Sequence, residues 1–364
     1  MEKKIRWWVP QIGPEEKKLI GKALTSHFPN EGKLTTLFEK KIAALLGAKH
    51  AVAATSGTAA IFLALKALGI GTGDEVIVPD MTFIATANAV DMAGAQPVLV
   101  DIDPTTMNMN PDAFKRATTK KTKAVMPVHV SGRGGRLDEI LKIAKKLGLP
   151  VVEDAAEAFV SKYKGKFLGT FGVMGCFSFS PHKTITTGQG GMVVTDDDRI
   201  NVRLRELKDQ GRPKRGTGGD DRHDSIGYNF KFTDLQAAVG LGQLKYLKIR
   251  LGAMKKINAR YRKNLDGLDE ASLFDIDTKN GEVPQWTDGL FARRDELDSY
   301  LEESNIGCRR FWFPLHTQIP YRQPDVKFPV STKLAPKAMW LPSAFTMSGT
   351  DVDRVSDSIR KFYK

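Results

Sequence analysis

Three short stretches of this chain carry residue types that could hold an anionic ligand bearing an aldehyde. In Ser178-Phe179-Ser180-Pro181-His182-Lys183-Thr184-Ile185-Thr186-Thr187-Gly188-Gln189-Gly190-Gly191, a lysine lies just beyond an apolar run whose Ser178 can bind an oxyanion. A glycine turn follows and lets the backbone fold tightly around a ligand, and an amine enclosed in such a site can condense with an aldehyde. Taken alone, one basic residue among 55 reads as a solvated surface group. Thr55-Ser56-Gly57-Thr58-Ala59-Ala60 sits between a strand and a helix pattern, so its N–H groups open a helix N-terminus that favours phosphate. Ser and Thr at such a place also serve as plain N-caps. Asp154 ends the apolar run Val151-Val152-Glu153, at the carboxyl edge of a sheet where α/β ligand sites lie. There it could keep a pyridine nitrogen protonated and let the ring act as an electron sink, or simply cap the helix that follows. Glu157, one helical turn on, could reach the same ligand or face solvent.

For these groups to meet, several strand ends must share one edge. From about residue 38 to 200, helical and strand patterns alternate as they do in a parallel or mixed sheet covered by helices. Phe38 to Leu46 has helical apolar spacing, Ala51 to Ala54 is a short apolar strand, and Thr58 to Leu68 is a helix closed by Gly69. Glu75 to Pro79, Pro97 to Val100, Ala124 to Val128 and Val151 to Glu153 read as further strands, the last preceded by a helix from Leu137 to Leu147. Gly175 to Phe179 and Gly191 to Thr195, joined by the loop that holds Lys183, read as a hairpin-like edge. Lys208 to Ser225 is rich in Gly, Arg and Asp, lacks periodicity and is long for an internal loop, which predicts mobility. Thr233 to Leu247 is helical in spacing, and a basic helix continues to about Leu265. Beyond it the pattern weakens, with helices at Arg293 to Ser304 and Asp351 to Tyr363. A chain of 364 residues suits two cores, which places a large α/β unit at 1–247 and a smaller unit at 248–364.

Composition narrows the partners. The net charge of +13 predicts a positive field that attracts nucleotides, phosphates or nucleic acid. The basic residues are scattered, however, and their densest cluster, Arg199 to Arg215, runs into Gly218-Gly219-Asp220-Asp221 rather than into stacking aromatics, which argues against nucleic acid. No stretch approaches the roughly 18 apolar residues of a membrane helix. Met1-Glu2-Lys3-Lys4 leads into Trp7 and Trp8 without the apolar core of a signal peptide, so the cytoplasm is expected. Two cysteines, Cys176 and Cys308, supply neither a disulfide framework nor a zinc set, and no metal is expected. Trp7 and Trp8 read as a terminal packing patch, Phe83 on its own as a core aromatic, and His129 and His316 as either substrate contacts or structural hydrogen bonders.

In their order and wording these stretches resemble the DegT/DnrJ/EryC1/StrS family of sugar aminotransferases dependent on pyridoxal 5′-phosphate (PLP), and the likeness runs through nearly the whole chain. It rests also on Pro79-Asp80-Met81-Thr82-Phe83-Ile84-Ala85-Thr86-Ala87-Asn88-Ala89, Asp101-Ile102-Asp103, Pro127-Val128-His129, Gly227-Tyr228-Asn229-Phe230 and Pro314-Leu315-His316. The resemblance implies a fold-type I large domain with a mixed, mostly parallel sheet, and a smaller C-terminal α+β domain. It implies PLP carried by Lys183 as a Schiff base, with pyridoxamine phosphate as the intermediate form. Asp154 would partner the pyridinium nitrogen, Phe83 would stack on the ring, and Glu157 would lie near the ring hydroxyl. Ser56, Gly57, Thr58 and Ser178 would hold the phosphate, while Asn229 would reach the phosphate of the neighbouring subunit's site in a homodimer with shared sites. Glu157 and Thr184-Ile185-Thr186-Thr187-Gly188 are similar to the perosamine synthase branch, which points to a nucleotide-linked 4-keto-6-deoxy sugar as acceptor, and L-glutamate is the expected donor. His129, Arg309 and His316 are the candidate substrate contacts. Lys183 stands where related 3-dehydratases have histidine, which selects transamination over dehydration. Gln189 and Lys231 depart from the family's usual Glu and Arg, and Asp275 to Leu290 diverges where the sugar pocket is shaped. Another ketose or an inosose as acceptor, and a non-catalytic regulator, are the alternatives.

Overall fold

Among the described residues, seven short strands line up as one sheet. The structure is a computed structural model and describes residues 3–27, 29–213 and 222–364, so residues 214–221 of the expected mobile loop lie outside the described residues. Gln96–Val100, Glu75–Pro79 and Thr122–Val125 pair in parallel in that order. Parallel bridges Val125–Val151 and Val128–Asp154 carry the sheet on to Val152–Asp154, which pairs in parallel with Met174–Ser178. Gly191–Thr195 then runs antiparallel between Met174–Ser178 and His50–Ala54. The pair around Lys183 is thus antiparallel, as expected of a hairpin, but it is not an edge. His50–Ala54 lies outside it, and because Ala51, Val52, Ala53 and Ala54 are all buried, helices cover both faces of this last strand too.

The helix Gly57–Ala67 explains why the sheet can present a binding edge. Residues 59–65 are all buried, so the helix is apolar all round and lies inside the molecule, against the sheet and against the helix Asp198–Lys208. Its N-terminus is therefore fixed at the carboxyl edge of the strands. The strand Val152–Asp154 is buried at each residue and places Glu153 and Asp154 on opposite faces. Glu153 is consumed by structure: it accepts from the backbone N–H groups of Gly169, Phe171 and Gly172 at 2.8, 2.6 and 2.7 Å. Asp154, on the other face, is left for the site.

A second sheet, wholly antiparallel, orders Ala271–Leu273, Asp288–Phe291, Ala338–Trp340 and Arg309–Arg310. These strands are two to four residues long, too short for a period-2 pattern to show. The helices Leu247–Leu265, Arg294–Glu303 and Gly349–Tyr363 cover the sheet through Tyr261, Leu297, Leu301, Val355 and Ile359, all fully buried. The start of the chain joins this unit: Ile5 bridges Ile306, and Ser343 N donates to the Trp7 carbonyl at 3.1 Å. Among the described residues no helix is long and apolar enough to cross a membrane.

Candidate active site

The strand ends and the helix N-terminus open on a cavity of about 450 Å³. Of the catalytic, cofactor and substrate residues expected from the sequence, Asn229, His129 and His316 lie outside its lining and all the others are part of it.

One end is an anion seat. Ser56 caps the helix, its Oγ accepting from Ala59 N at 3.1 Å, and the amides of Gly57 and Thr58 have no intrahelical acceptor. The first turn carries no acidic side chain. A Cβ on Gly57 would stand 2.9 Å from Cβ of Ser178, and one on Gly191 only 2.1 Å from the Ser56 carbonyl, so both glycines are required for helix and strands to close this end.

The middle holds the titratable groups. Thr86 Oγ1 donates to Asp154 Oδ2 at 2.7 Å and Ala156 N donates to Oδ1 at 3.1 Å. Burial pushes the Asp154 carboxyl above the ordinary carboxylate range, against the pull of Thr86 and the Ala156 amide. No ion pair within the chain serves it among the described residues, so it stands as a buried acceptor facing a ligand space. Lys183 Nζ lies 3.3 Å from Glu157 Oε1, and Ser131 N donates to Glu157 Oε2 at 3.1 Å. Burial raises the Glu157 carboxyl as well, with Lys183 acting the other way. Phe83, 52% exposed although large and apolar, lines the same space and has a ring face to offer. A buried carboxylate, a lysine amine and a helix N-terminus in one cavity fit a phosphorylated pyridine aldehyde: acceptor for the ring nitrogen, nucleophile for the aldehyde, seat for the phosphate.

The other end is aromatic; the sequence offered Arg309 and the divergent 275–290 segment for it, but not its cluster of tryptophans. Trp286, Trp312 and Trp340 line it together with His182 and Arg309. Lys183 Nζ sits 4.7 Å from the centre of the Trp286 ring. Trp286 is delivered by the divergent segment 281–286, which docks on the catalytic loops. Gln285 Oε1 accepts from Thr184 Oγ1 at 2.6 Å, its Nε2 donates to the His182 carbonyl at 3.2 Å, and Gly134 N donates to Glu282 Oε1 at 2.8 Å. Gly132, at φ +92°, lets that segment pass, since a Cβ there would meet the Val283 carbonyl at 1.9 Å. Trp7 and Trp8 do pack, and they pack onto this wall: Trp8 Nε1 donates to the Pro181 carbonyl at 3.1 Å and the Trp7 ring lies 5.4 Å from that of His182. Thr86, within a quoted motif but not singled out, was signalled by nothing beyond that motif.

His129 is buried with Nε2 2.8 Å from Glu153 Oε2, on the face opposite Asp154. His316 is buried with Nδ1 2.7 Å from Asp80 Oδ2 and its ring stacked on Phe328 at 4.6 Å. Both knit segments together outside the cavity lining. Asn229 is exposed, on a chain segment that bridges Asp209, and it too lies outside this chain's cavity lining.

Comparison with known proteins agrees with this chemistry. The model of the DegT/DnrJ/EryC1/StrS aminotransferase family matches residues 10–360. The chain is similar to GDP-perosamine synthase of Escherichia coli O157:H7, 37% identical over 359 residues that cover 97% of each protein. Among solved structures, DesV of S. venezuelae in complex with a ketimine intermediate superposes with a TM-score of 0.91 at 32% identity, covering 96% of this chain and 94% of that one. DesI in the presence of its TDP-sugar product gives 0.91 at 31% identity, covering 99% and 93%.

Proposed function

The chain belongs to the DegT/DnrJ/EryC1/StrS family of PLP-dependent sugar aminotransferases, and from that premise we propose that it moves an amino group from L-glutamate to a nucleotide-linked keto sugar, a 4-keto-6-deoxy hexose as in perosamine synthesis. The observation that carries this reading is Lys183 beside Glu157, set between the buried Asp154 and the helix N-terminus at Gly57. When bound, PLP supplies the electron sink that lets a carbon next to the transferred nitrogen lose a proton. Lys183 would hold the cofactor covalently and, once displaced by the donor amine, move protons between the substrate carbon and the cofactor's C4′. Glu157 holds the lysine nitrogen over the cavity and would lie near the ring hydroxyl. Thr86 fixes the Asp154 carboxylate, which would partner the ring nitrogen. Ser56, Gly57, Thr58 and Ser178 would bind the phosphate, and Phe83 would stack on the ring. Arg309 would contact substrate. The exposed Asn229 would serve a second copy's site, which makes a homodimer the working unit. The perosamine relative supports the acceptor class, and the DesI complex supports a nucleotide sugar in such a cavity.

The test supplies the PLP-loaded protein with L-glutamate and with GDP-, UDP- and dTDP-linked keto sugars, and detects products by mass. A gain of one amino group on a GDP-linked 4-keto-6-deoxy hexose is expected. Amination of an inosose and of no nucleotide sugar would overturn the acceptor assignment.

A further inference from the structure

Arg309 has an unusual environment for a half-buried cation. It forms no ion pair and no side-chain hydrogen bond among the described residues. Instead its guanidinium carbon lies 4.7 Å from the Trp7 ring centre and 5.7 Å from that of Trp340. A guanidinium held by indole rings alone keeps its N–H donors unspent. The same wall contains two more unspent donors, because Trp7 Nε1 and Trp286 Nε1 are buried without an acceptor among the described residues, and Trp286 is only 4% exposed. Trp7 in turn is fixed by its neighbours, with Trp286 at 5.3 Å and His182 at 5.4 Å between ring centres, and by its carbonyl, which accepts from Ser343 N. The first residues of the chain therefore form part of the wall around the cavity that holds Lys183.

We propose that Arg309, held over the rings of Trp7 and Trp340, is the seat for the carboxylate of the amino donor, and that Trp7 is the positioning residue that keeps its N–H donors available to the cavity. The inference rests on the aminotransferase reading above. Two anions could claim such a seat in that reaction, the donor's α-carboxylate and the diphosphate of a nucleotide sugar. The carboxylate is two bonds from the nitrogen that replaces Lys183, so it must lie in the same chamber as Lys183. The diphosphate is separated from a 4-keto carbon by the width of a hexose ring and lies farther out. Arg309 lines the chamber with Lys183 and feels the charge of Glu157, Lys183's own partner. One planar guanidinium also matches one planar carboxylate in a bidentate pair.

The PLP-loaded protein gives two readouts. The visible band of the lysine-bound cofactor is followed by stopped flow as L-glutamate is added. Separately, glutarate is titrated against intrinsic fluorescence, which reports on this wall because all five tryptophans of the chain meet there. Arg309→Gln is expected to raise the half-saturating concentrations of L-glutamate and glutarate about 10–100-fold, the scale of lost hydrogen bonds between charged groups, with binding of GDP unchanged. Arg309→Lys should recover part of that loss. Trp7→Ala should raise half-saturation several-fold while the rate at saturation holds, and Trp7→Phe should restore it. Unaltered half-saturation in Arg309→Gln, or a loss of GDP binding in place of glutarate binding, would overturn the proposal. A wild-type protein that binds PLP without a visible band, or whose band ignores L-glutamate, would defeat the aminotransferase reading itself.

Discussion

From the anion seat to the middle of the cavity the ligand-facing groups are backbone amides, a hydroxyl and a carboxylate, fixed at the N-terminus of a buried helix and the ends of buried strands. At the aromatic end they are large side chains brought from near the chain's start, from the divergent 281–286 segment and from the second sheet. The first end is rigid because regular structure makes it. The second is held by side chains stacked on side chains, and its shape depends on each of them. A cofactor common to a family suits the first kind of construction, and substrates that differ between members suit the second.

Substitutions at the two ends should fail differently. Asp154→Asn keeps size and hydrogen-bonding shape but removes the charge opposite the ring nitrogen. Turnover should fall on the order of 10³-fold, as when one group stabilising the reacting charge is lost, with the fold intact by circular dichroism. Trp340→Ala should act mainly on stability. Trp340 is fully buried and stacks on Phe311 at 3.9 Å, so chemical denaturation should show a loss of about 3–5 kcal/mol. If the Asp154 change unfolds the protein and the Trp340 change does not, the contrast between the ends is wrong.

Gly57→Ala probes the junction of helix and sheet. Its methyl would press on Ser178, at a cost of about 1–3 kcal/mol and a weaker grip on inorganic phosphate measured by calorimetry. Adding Ser178→Gly should return most of the stability. The smallest effect concerns pH. Burial raises the Asp154 carboxyl above its unfolded value, so the folded, PLP-free protein binds that proton more tightly than the unfolded chain does. The charged form is therefore a penalty above the raised pKa, and that penalty fades as pH falls through it, by at most about 1.4 kcal/mol for each pH unit. PLP-free Asp154→Asn should melt a few degrees above wild type at pH 8, and the gap should close toward the ordinary carboxylate range. A gap constant with pH would mean that Asp154 is not raised.

The same contrast decides what could be read from the sequence. Ser56-Gly57-Thr58, Asp154 and Ser178 with Lys183 are local signals, each a few residues at the end of a strand or the start of a helix, and the structure places them in one cavity. Strand 75–79 and helix 137–147 matched their patterns to the residue, because the strand is a short apolar run closed by Pro79 and the helix has a clear apolar period closed by Gly148. The edge assignment failed because pairing order is a tertiary property: nothing within His50–Ala54 announces that it lies outside Gly191–Thr195. The tryptophan cluster at the aromatic end was illegible for a related reason. Trp7 is far along the chain from Trp286 and Trp340, and a tryptophan's partners cannot be inferred from its neighbours in the chain. His129 and His316 carried a motif's signal, yet each is buried against a carboxylate that also organises backbone.

The central claim, that Lys183 is the nucleophile around which both ends are arranged, is tested most directly by one spectrum. The purified protein, reconstituted with PLP, should absorb in the visible, lose that band on addition of L-glutamate and regain it with a keto acid. Lys183→Ala should bind PLP at the phosphate end without forming the same lysine-bound band. A wild-type protein that takes up no PLP, or a Lys183→Ala protein whose spectrum and response to L-glutamate match wild type, would contradict that claim.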